Sequence, residues 1–293
     1  MRNDFLKYLL SNDPIKTVGK KGISVRRFIY PAVRAILKIA NPYKLHIVRK
    51  AKKPTGIPII YAPTHGFKDD LLNTYILIND PVYTLFGALD QFFNDVDGWL
   101  AWVLGVCLVN RADRESRSAV LLKMQRAMSF GANGLVFPEG AWNLQDSLLV
   151  MKLFGGIYDL AKSTDAWVMP VATHVEGKTC HAILDEPFNI TAYSKIEGML
   201  MLRDKMATLK YELMETYSSY ARTDLESNGK TLQQTWEETK QKLIAEPKFL
   251  LTPEHELYRY IDRSVIEPSE AFAHLEQISL SPKTAFLFKR KML

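Results

Sequence analysis

Apolar and polar positions alternate along this chain in two distinct rhythms. Between Leu45 and about residue 190, short apolar runs bounded by glycine, proline or polar residues take turns with longer segments whose apolar positions recur at helical spacing. The runs Leu45 to Val48, Ile57 to Pro63, Val82 to Gly87, Val106 to Val109, Leu135 to Phe137, Trp167 to Ala172 and His181 to Leu184 predict strands. Helices are expected over 68 to 78, near 96 to 103, over 116 to 130 and near 156 to 163, with Gly131 and Gly134 closing the third. Strand and helix in alternation predict an α/β fold, a mostly parallel sheet flanked by helices. We place this core at residues 45–194.

Both flanks are helical in pattern. In segment 1–44, Val25, Phe28, Ile29, Ala32, Val33, Ile36 and Leu37 repeat at helical spacing, while Arg26, Arg27, Arg34 and Lys38 lie off that stripe. Pro31 is expected to kink this helix or to start its second part. A basic amphipathic helix of this kind either packs on its own core or lies on an anionic membrane surface. After Lys195 the strand-helix rhythm stops. A helical stretch runs to about Arg222, a polar patch follows at Ser227 to Lys230, and a further helix reaches Glu246, so residues 195–293 read as a C-terminal helical appendage. Its end, Phe286 to Leu293, mixes apolar and basic residues. The chain shows no internal repeat.

With 293 residues, 47% apolar and 24% charged, the composition is that of a globular protein and excludes disordered and fibrous classes. The longest apolar stretch, Trp99 to Val109, falls short of the roughly 20 residues a membrane-spanning helix needs. The first ten residues do not have the form of a signal peptide, and a cytoplasmic location, peripheral on the inner face of the membrane, is expected. Two cysteines, Cys107 and Cys180, without metal-ligand spacing, indicate neither a disulfide framework nor a metal site. A net charge of +6 points to an anionic partner, and the absence of nucleic-acid-binding signatures turns that expectation away from nucleic acid.

Chemistry concentrates at His65-Gly66-Phe67-Lys68-Asp69-Asp70. His65 falls in a turn at the C-terminal end of a predicted strand, where open α/β sheets place their active sites. Asp70, one turn into the next helix, is placed to accept from the imidazole Nδ1–H and leave Nε2 as a general base. The other reading makes His65 a solvated turn residue and Asp69 and Asp70 partners of the helix dipole. Phosphate-loop, dinucleotide, serine-elbow and zinc-helix patterns are all incomplete: the glycine due five positions before Gly177-Lys178-Thr179 is Ala172, and His255-Glu256 has no second histidine. With no nucleophile of its own beside the pair, the chain fits direct transfer to a bound hydroxyl. Gly105 to Arg111 is a strand that delivers an arginine, and Phe137-Pro138-Glu139-Gly140 one that delivers a carboxylate and a glycine, both to the sheet edge that holds His65. Taken singly, Arg111 is equally a surface ion-pair residue and Pro138 to Gly140 an ordinary turn.

In order and spacing these stretches resemble the glycerophospholipid acyltransferase family, typified by 1-acylglycerol-3-phosphate acyltransferase. The resemblance covers residues 40 to 190 and rests on four motifs: His65 with Asp70, Gly105 to Arg111, Phe137 to Gly140, and Val168-Met-Pro-Val-Ala172. It implies transfer of a fatty acyl group from an acyl-CoA or acyl-ACP thioester to a hydroxyl of a lysophospholipid or related lipid, with no metal and no bound cofactor. His65 and Asp70 are then the catalytic pair, and Lys68, Arg111, Phe137, Pro138, Glu139, Gly140 and Trp142 are substrate-binding candidates. A non-catalytic lipid-surface protein of the same fold and a thioester or lipid hydrolase are the alternatives. Two departures stand out. Thr64 replaces the family's usual asparagine before the histidine, and Ala141-Trp142-Asn143 replaces the usual Thr-Arg-Ser, so the phosphate-gripping arginine of that slot is missing.

Overall fold

The computed structural model describes residues 8–66, 70–87, 102–110, 113–143 and 149–218, with positions 229, 234, 237, 238 and 241. In chain order the elements are α1 (Pro14–Thr17), α2 (Lys20–Ala40), β1 (Lys44–Lys50), β2 (Ile59–Pro63), α3 (Asp70–Ile78), β3 (Val82–Phe86), β4 (Val106–Leu108), α4 (Arg114–Ser129), β5 (Asn133–Leu135), α5 (Gly156–Thr164), β6 (Trp167–Glu176), β7 (Thr179–Leu184), a 3-10 turn (Ile190–Ala192) and α6 (Lys195–Tyr217). The strands form one sheet in the order β1-β7-β6-β2-β5-β3-β4. All pairings are parallel except β6 with β7. The expected α/β class and mostly parallel sheet are what the chain adopts.

The parity of β2 explains the layering. Both faces of this central strand are covered, so it reads as an unbroken apolar run rather than an alternating one. Ile59 and Tyr61 enter a core with Leu37 of α2, Tyr75 and Leu77 of α3, and Met169 and Val171 of β6. Ile60 and Ala62 point the other way, into a core with Met124 of α4, Leu160 of α5 and Leu202 and Met206 of α6. The sheet is therefore sandwiched between α2 and α3 on one side and α4, α5 and α6 on the other. Helix α6 packs along β6, with Leu209 and Leu213 against Ala172 and Ile183. A capping box starts it, Ser194 and Glu197 exchanging side-chain and backbone hydrogen bonds.

Three expectations are corrected. The strand read as Leu135 to Phe137 is Asn133–Leu135, because the Asn133 side chain itself joins the ladder, accepting from the Ile59 N–H at 2.9 Å. Gly134 is consequently a strand residue and not a helix cap. A Cβ there would sit 3.4 Å from Ile60 Cγ1 and 3.5 Å from Met124 Cε, so glycine lets α4 approach the sheet. Helix α2 runs unbroken through Pro31, and its basic residues are not all outward. Arg34 donates through Nε and Nη2 to the Ile76 carbonyl at 3.2 and 2.8 Å, and the Tyr30 hydroxyl donates to the Tyr75 carbonyl at 3.1 Å. These are carbonyls of the last turn of α3, where the negative end of the helix attracts cations and donors; that of Tyr75 also accepts from the Asn79 N–H at 3.4 Å. Arg26 donates to the Tyr83 hydroxyl and to the Trp102 carbonyl. What α2 leaves outside is a second apolar stripe, Val25, Phe28, Ile36 and Ile39, with Phe28 and Ile39 each 86% exposed.

The glycine that opens the Gly105 to Arg111 stretch has a backbone reason. Its φ is +101°, and a Cβ would come within 2.6 Å of the Val82 carbonyl oxygen. Gly105→Ala is expected to destabilise the protein by about 1–3 kcal/mol, the usual cost of forcing a side chain into such a backbone state. The check is the urea midpoint, which should fall with an unchanged slope.

Candidate active site

Strand β2 ends at Pro63, and the chain then turns across the C-terminal edge of the sheet. Thr64 fixes that turn. Its N–H donates to the Val171 carbonyl at 2.9 Å, and its hydroxyl accepts from the Thr173 N–H at 3.4 Å, so residue 64 is fully buried against β6. A short hydroxyl thus stands where the resemblance led us to expect asparagine, and it ties β2 to β6 just ahead of the histidine.

His65 and Asp70 meet as their spacing predicts. The imidazole Nδ1 lies 2.6 Å from Asp70 Oδ2, with the two side chains 16% and 4% exposed. A carboxylate only accepts, so the hydrogen of this bond lies on Nδ1, and in the neutral ring the lone pair is then on Nε2. Asp70 is the first residue of α3, where the helix's positive end favours an anion. The ring is held from the side by Phe137, at a centroid distance of 4.4 Å and a tilt of 35°, and edge-on by Trp142 at 6.4 Å and 78°. The loop continues this enclosure through the Asn143 N–H, which donates to the His65 carbonyl at 2.6 Å.

Glu139 takes a different place from the one expected. The sequence reading set it against the substrate, yet both its oxygens face backbone: Oε1 accepts from the His65 N–H at 2.7 Å and Oε2 from the Met151 N–H at 2.8 Å. It is 1% exposed. Burial pushes its carboxyl up from about 4.5 to about 7, against the pull of those two N–H groups and of the nearby His65 and Lys210 charges. Its neighbours Pro138 and Gly140 shape the turn: the Gly140 N–H donates to the Phe137 carbonyl at 3.0 Å with φ +68°, and the Pro138 carbonyl accepts from Phe154 at 2.8 Å.

Of the nine residues singled out, the structure gathers seven in one place: His65, Asp70, Phe137, Pro138, Glu139, Gly140 and Trp142. Lys68 and Arg111 lie outside the described residues. Strand β4, which leads toward Arg111, runs parallel to its neighbour and so ends on the same edge of the sheet. Among the described residues no group of three or more His, Cys, Asp or Glu side chains is arranged to hold a metal ion. Sequence reasoning passed over Thr64 as a bonding residue, the Met151 N–H, and two cations of α6. Arg203 donates through Nε and Nη2 to the Val150 carbonyl at 3.3 and 3.1 Å, and Lys210 Nζ donates to the Thr173 carbonyl at 2.7 Å. The signal for the last two was present: both interleave with Leu202, Met206, Leu209 and Leu213 on the buried side of α6.

Comparison with known proteins converges on the same region. Residues 44–174 match the model of the family described as Acyltransferase. A 1-acyl-sn-glycerol-3-phosphate acyltransferase of Chlamydomonas reinhardtii is 26% identical over 130 residues, which is 44% of this chain and 38% of that protein. The matched stretch thus spans less than two-fifths of the relative's length. The crystal structure of the 1-acyl-sn-glycerophosphate acyltransferase PlsC of Thermotoga maritima superposes with a TM-score of 0.52 over 67% of this chain and 83% of that one, at 14% identity, a likeness of fold. Residues 44–174, which hold His65, Asp70, Glu139, five of the seven strands and most of a sixth, are thus the part of this chain that is similar to the Acyltransferase family.

Proposed function

We propose that this protein transfers an acyl group from a thioester, acyl-CoA or acyl-ACP, to a hydroxyl of a lipid acceptor at a membrane surface. The observation that carries this reading is the 2.6 Å contact of His65 Nδ1 with Asp70 at the C-terminal edge of the sheet. Nε2 is left to take the proton of an acceptor hydroxyl. The hydroxyl oxygen attacks the thioester carbonyl, giving a tetrahedral oxyanion. That intermediate collapses to the new ester and expels the thiolate, which receives the proton from the imidazolium. Asp70 holds the ring's tautomer and stabilises the imidazolium while it exists. Backbone N–H groups near the turn serve the developing oxyanion. Glu139 acts one step back, holding the peptide that carries the base.

The membrane part of the proposal rests on α2. Among the described residues no helix is long and apolar enough to cross a bilayer. The outer stripe Val25, Phe28, Ile36 and Ile39 is exposed, and the exposed Lys20, Lys21, Arg27 and Lys38 belong to the same helix. An apolar face with cations beside it suits an anionic lipid surface, with the apolar side chains at the acyl boundary and the charges among the headgroups. Arg26 and Arg34 are spent on the fold and take no part.

For the acceptor we propose a lipid other than a simple phosphate monoester. Trp142 stands beside His65 where relatives of this pattern commonly have an arginine able to grip a phosphate with two parallel hydrogen bonds. Its indole brings one donor and a broad apolar face, which suits a sugar ring, a phosphodiester lysolipid or an acyl chain better than a dianion. Lys68 and Arg111 remain candidate ligands for an acidic headgroup.

Three outcomes are expected. His65→Ala should lower transfer by about 100- to 10,000-fold while leaving the far-UV spectrum and melting point in place, and Asp70→Asn should also slow the reaction. Retained turnover in His65→Ala refutes the mechanism. In sedimentation with anionic vesicles, Phe28→Ser with Ile39→Ser should release the protein, as should 1 M salt, under which charge attraction reaches only about 3 Å. Unchanged binding would return α2 to a purely structural role. With lysophosphatidic acid, a lysophosphodiester and a glycolipid competing in one reaction, mass spectrometry should find lysophosphatidic acid disfavoured. Its clear dominance would show that Trp142 does not set the acceptor.

A further inference from the structure

We propose that α6 is a working part of the candidate site, with Arg203 and Lys210 as positioning residues that hold the Glu139 carboxylate, and through it the His65 backbone, in place. This deepens the acyl-transfer reading above and rests on it. The geometry starts from Glu139, which bonds two peptides that are far apart in sequence. One of them, the peptide joining Val150 to Met151, is gripped at both ends: its N–H donates to Glu139 Oε2, and its carbonyl accepts from the Arg203 guanidinium. Arg203, the peptide and the carboxylate thus form an unbroken chain of cation, dipole and anion.

Lys210 closes the other side. Its ammonium is anchored on the Thr173 carbonyl at 2.7 Å and lies 3.7 Å from where a Cβ of residue 66 would be, directly after the histidine. Glu139 holds the N–H of residue 65, and Lys210 lies against residue 66. The two opposite charges therefore bracket the peptide that presents the base. Burial pulls the Lys210 ammonium below the usual lysine range, and the charges of Glu139, Cys180 of β7 and Asp70 at the head of α3 oppose that fall. Lys210 in turn helps hold His174 of β6 down to about 4, after burial and together with His181.

The chemical consequence follows from what a protonated Glu139 can do. A carboxylic acid carries a hydrogen on one oxygen, which leaves that oxygen a poorer acceptor, so one of the two backbone bonds is weakened. A cation beside the carboxylate favours the ionised, doubly accepting form. Since Glu139 titrates at about 7 when folded and near 4.5 otherwise, the folded protein binds the extra proton between those values. The contribution of this group to stability is thus complete below about 4.5 and is lost as pH rises to about 7.

The test compares Lys210→Gln, which keeps a donor for the Thr173 carbonyl and removes the charge, with Lys210→Arg, which keeps the charge. Two readouts are taken across pH: denaturant unfolding, which needs no substrate, and steady-state turnover. Lys210→Gln should move the unfolding-detected titration of Glu139, and the acid limb of kcat, upward by about one pH unit or more. KM should change less than kcat, and Lys210→Arg should restore both profiles. In a Glu139→Gln background, Lys210→Gln should produce no further shift near pH 7, where Glu139 titrates, and only the rise of the His174 titration from about 4 should remain. Arg203→Met should lower kcat without moving the titration, since it acts through a peptide rather than as a direct countercharge. Identical unfolding profiles for wild type and Lys210→Gln, or the same shift without Glu139, would overturn the proposal. A wild-type protein without transfer activity but with the predicted unfolding shift would instead refute the acyl-transfer reading and leave the electrostatic link standing.

Discussion

The buried Glu139 carboxylate is the constraint on which this site depends. An ionised carboxylate with 1% exposure carries a heavy desolvation cost, and it is tolerated only because two backbone N–H groups and nearby cations answer it. In return it joins the turn after β2 to the peptide between Val150 and Met151, two segments that lie outside the strands and helices. His65 sits on the first of these. Loops at the edge of a sheet have many accessible conformations, and a hydrogen-bonded carboxylate from the neighbouring strand end removes most of them. His65 then owes its position to β2, its ring orientation to Asp70 at the head of α3, and its backbone orientation to Glu139 in the turn after β5.

That division of labour shows why some of the molecule was legible in the chain and some was not. The sheet was legible because strands buried on both faces produce apolar runs, and the β2 and β6 runs are as plain in sequence as in space. The His65/Asp70 contact was legible because five residues span a strand end and the first turn of a helix. Glu139 was found but given the wrong surroundings, since spacing reports which edge of the sheet a residue reaches and not whether its oxygens face solvent or backbone. Arg203 and Lys210 were passed over because their meaning lies in contacts 53 and 37 residues away along the chain. A local pattern shows only cations interleaved in an apolar stripe.

Helix α2 illustrates the same limit from the opposite side. Its apolar positions formed one stripe on paper, but two surfaces claim them. Ile23, Tyr30 and Leu37 are buried, whereas Val25, Phe28, Ile36 and Ile39 are exposed. Arg26 and Arg34, which a charge pattern assigns to water, instead satisfy carbonyls and a tyrosine hydroxyl on the domain. A helix that is apolar on two sides and cationic between them is tied to the fold through one face and has the other to offer to a lipid surface. The inner face of this helix braces the end of α3, the helix that begins at Asp70.

The central proposal is that one imidazole, oriented by one carboxylate, couples thiol release to ester formation. It is tested most directly by counting both products in the same reaction. Purified protein given an acyl thioester and a hydroxylated lipid should release one free thiol for each ester formed, and His65→Ala should lose both together. Thiol release without an ester, or ester formation that survives in His65→Ala, would contradict the account.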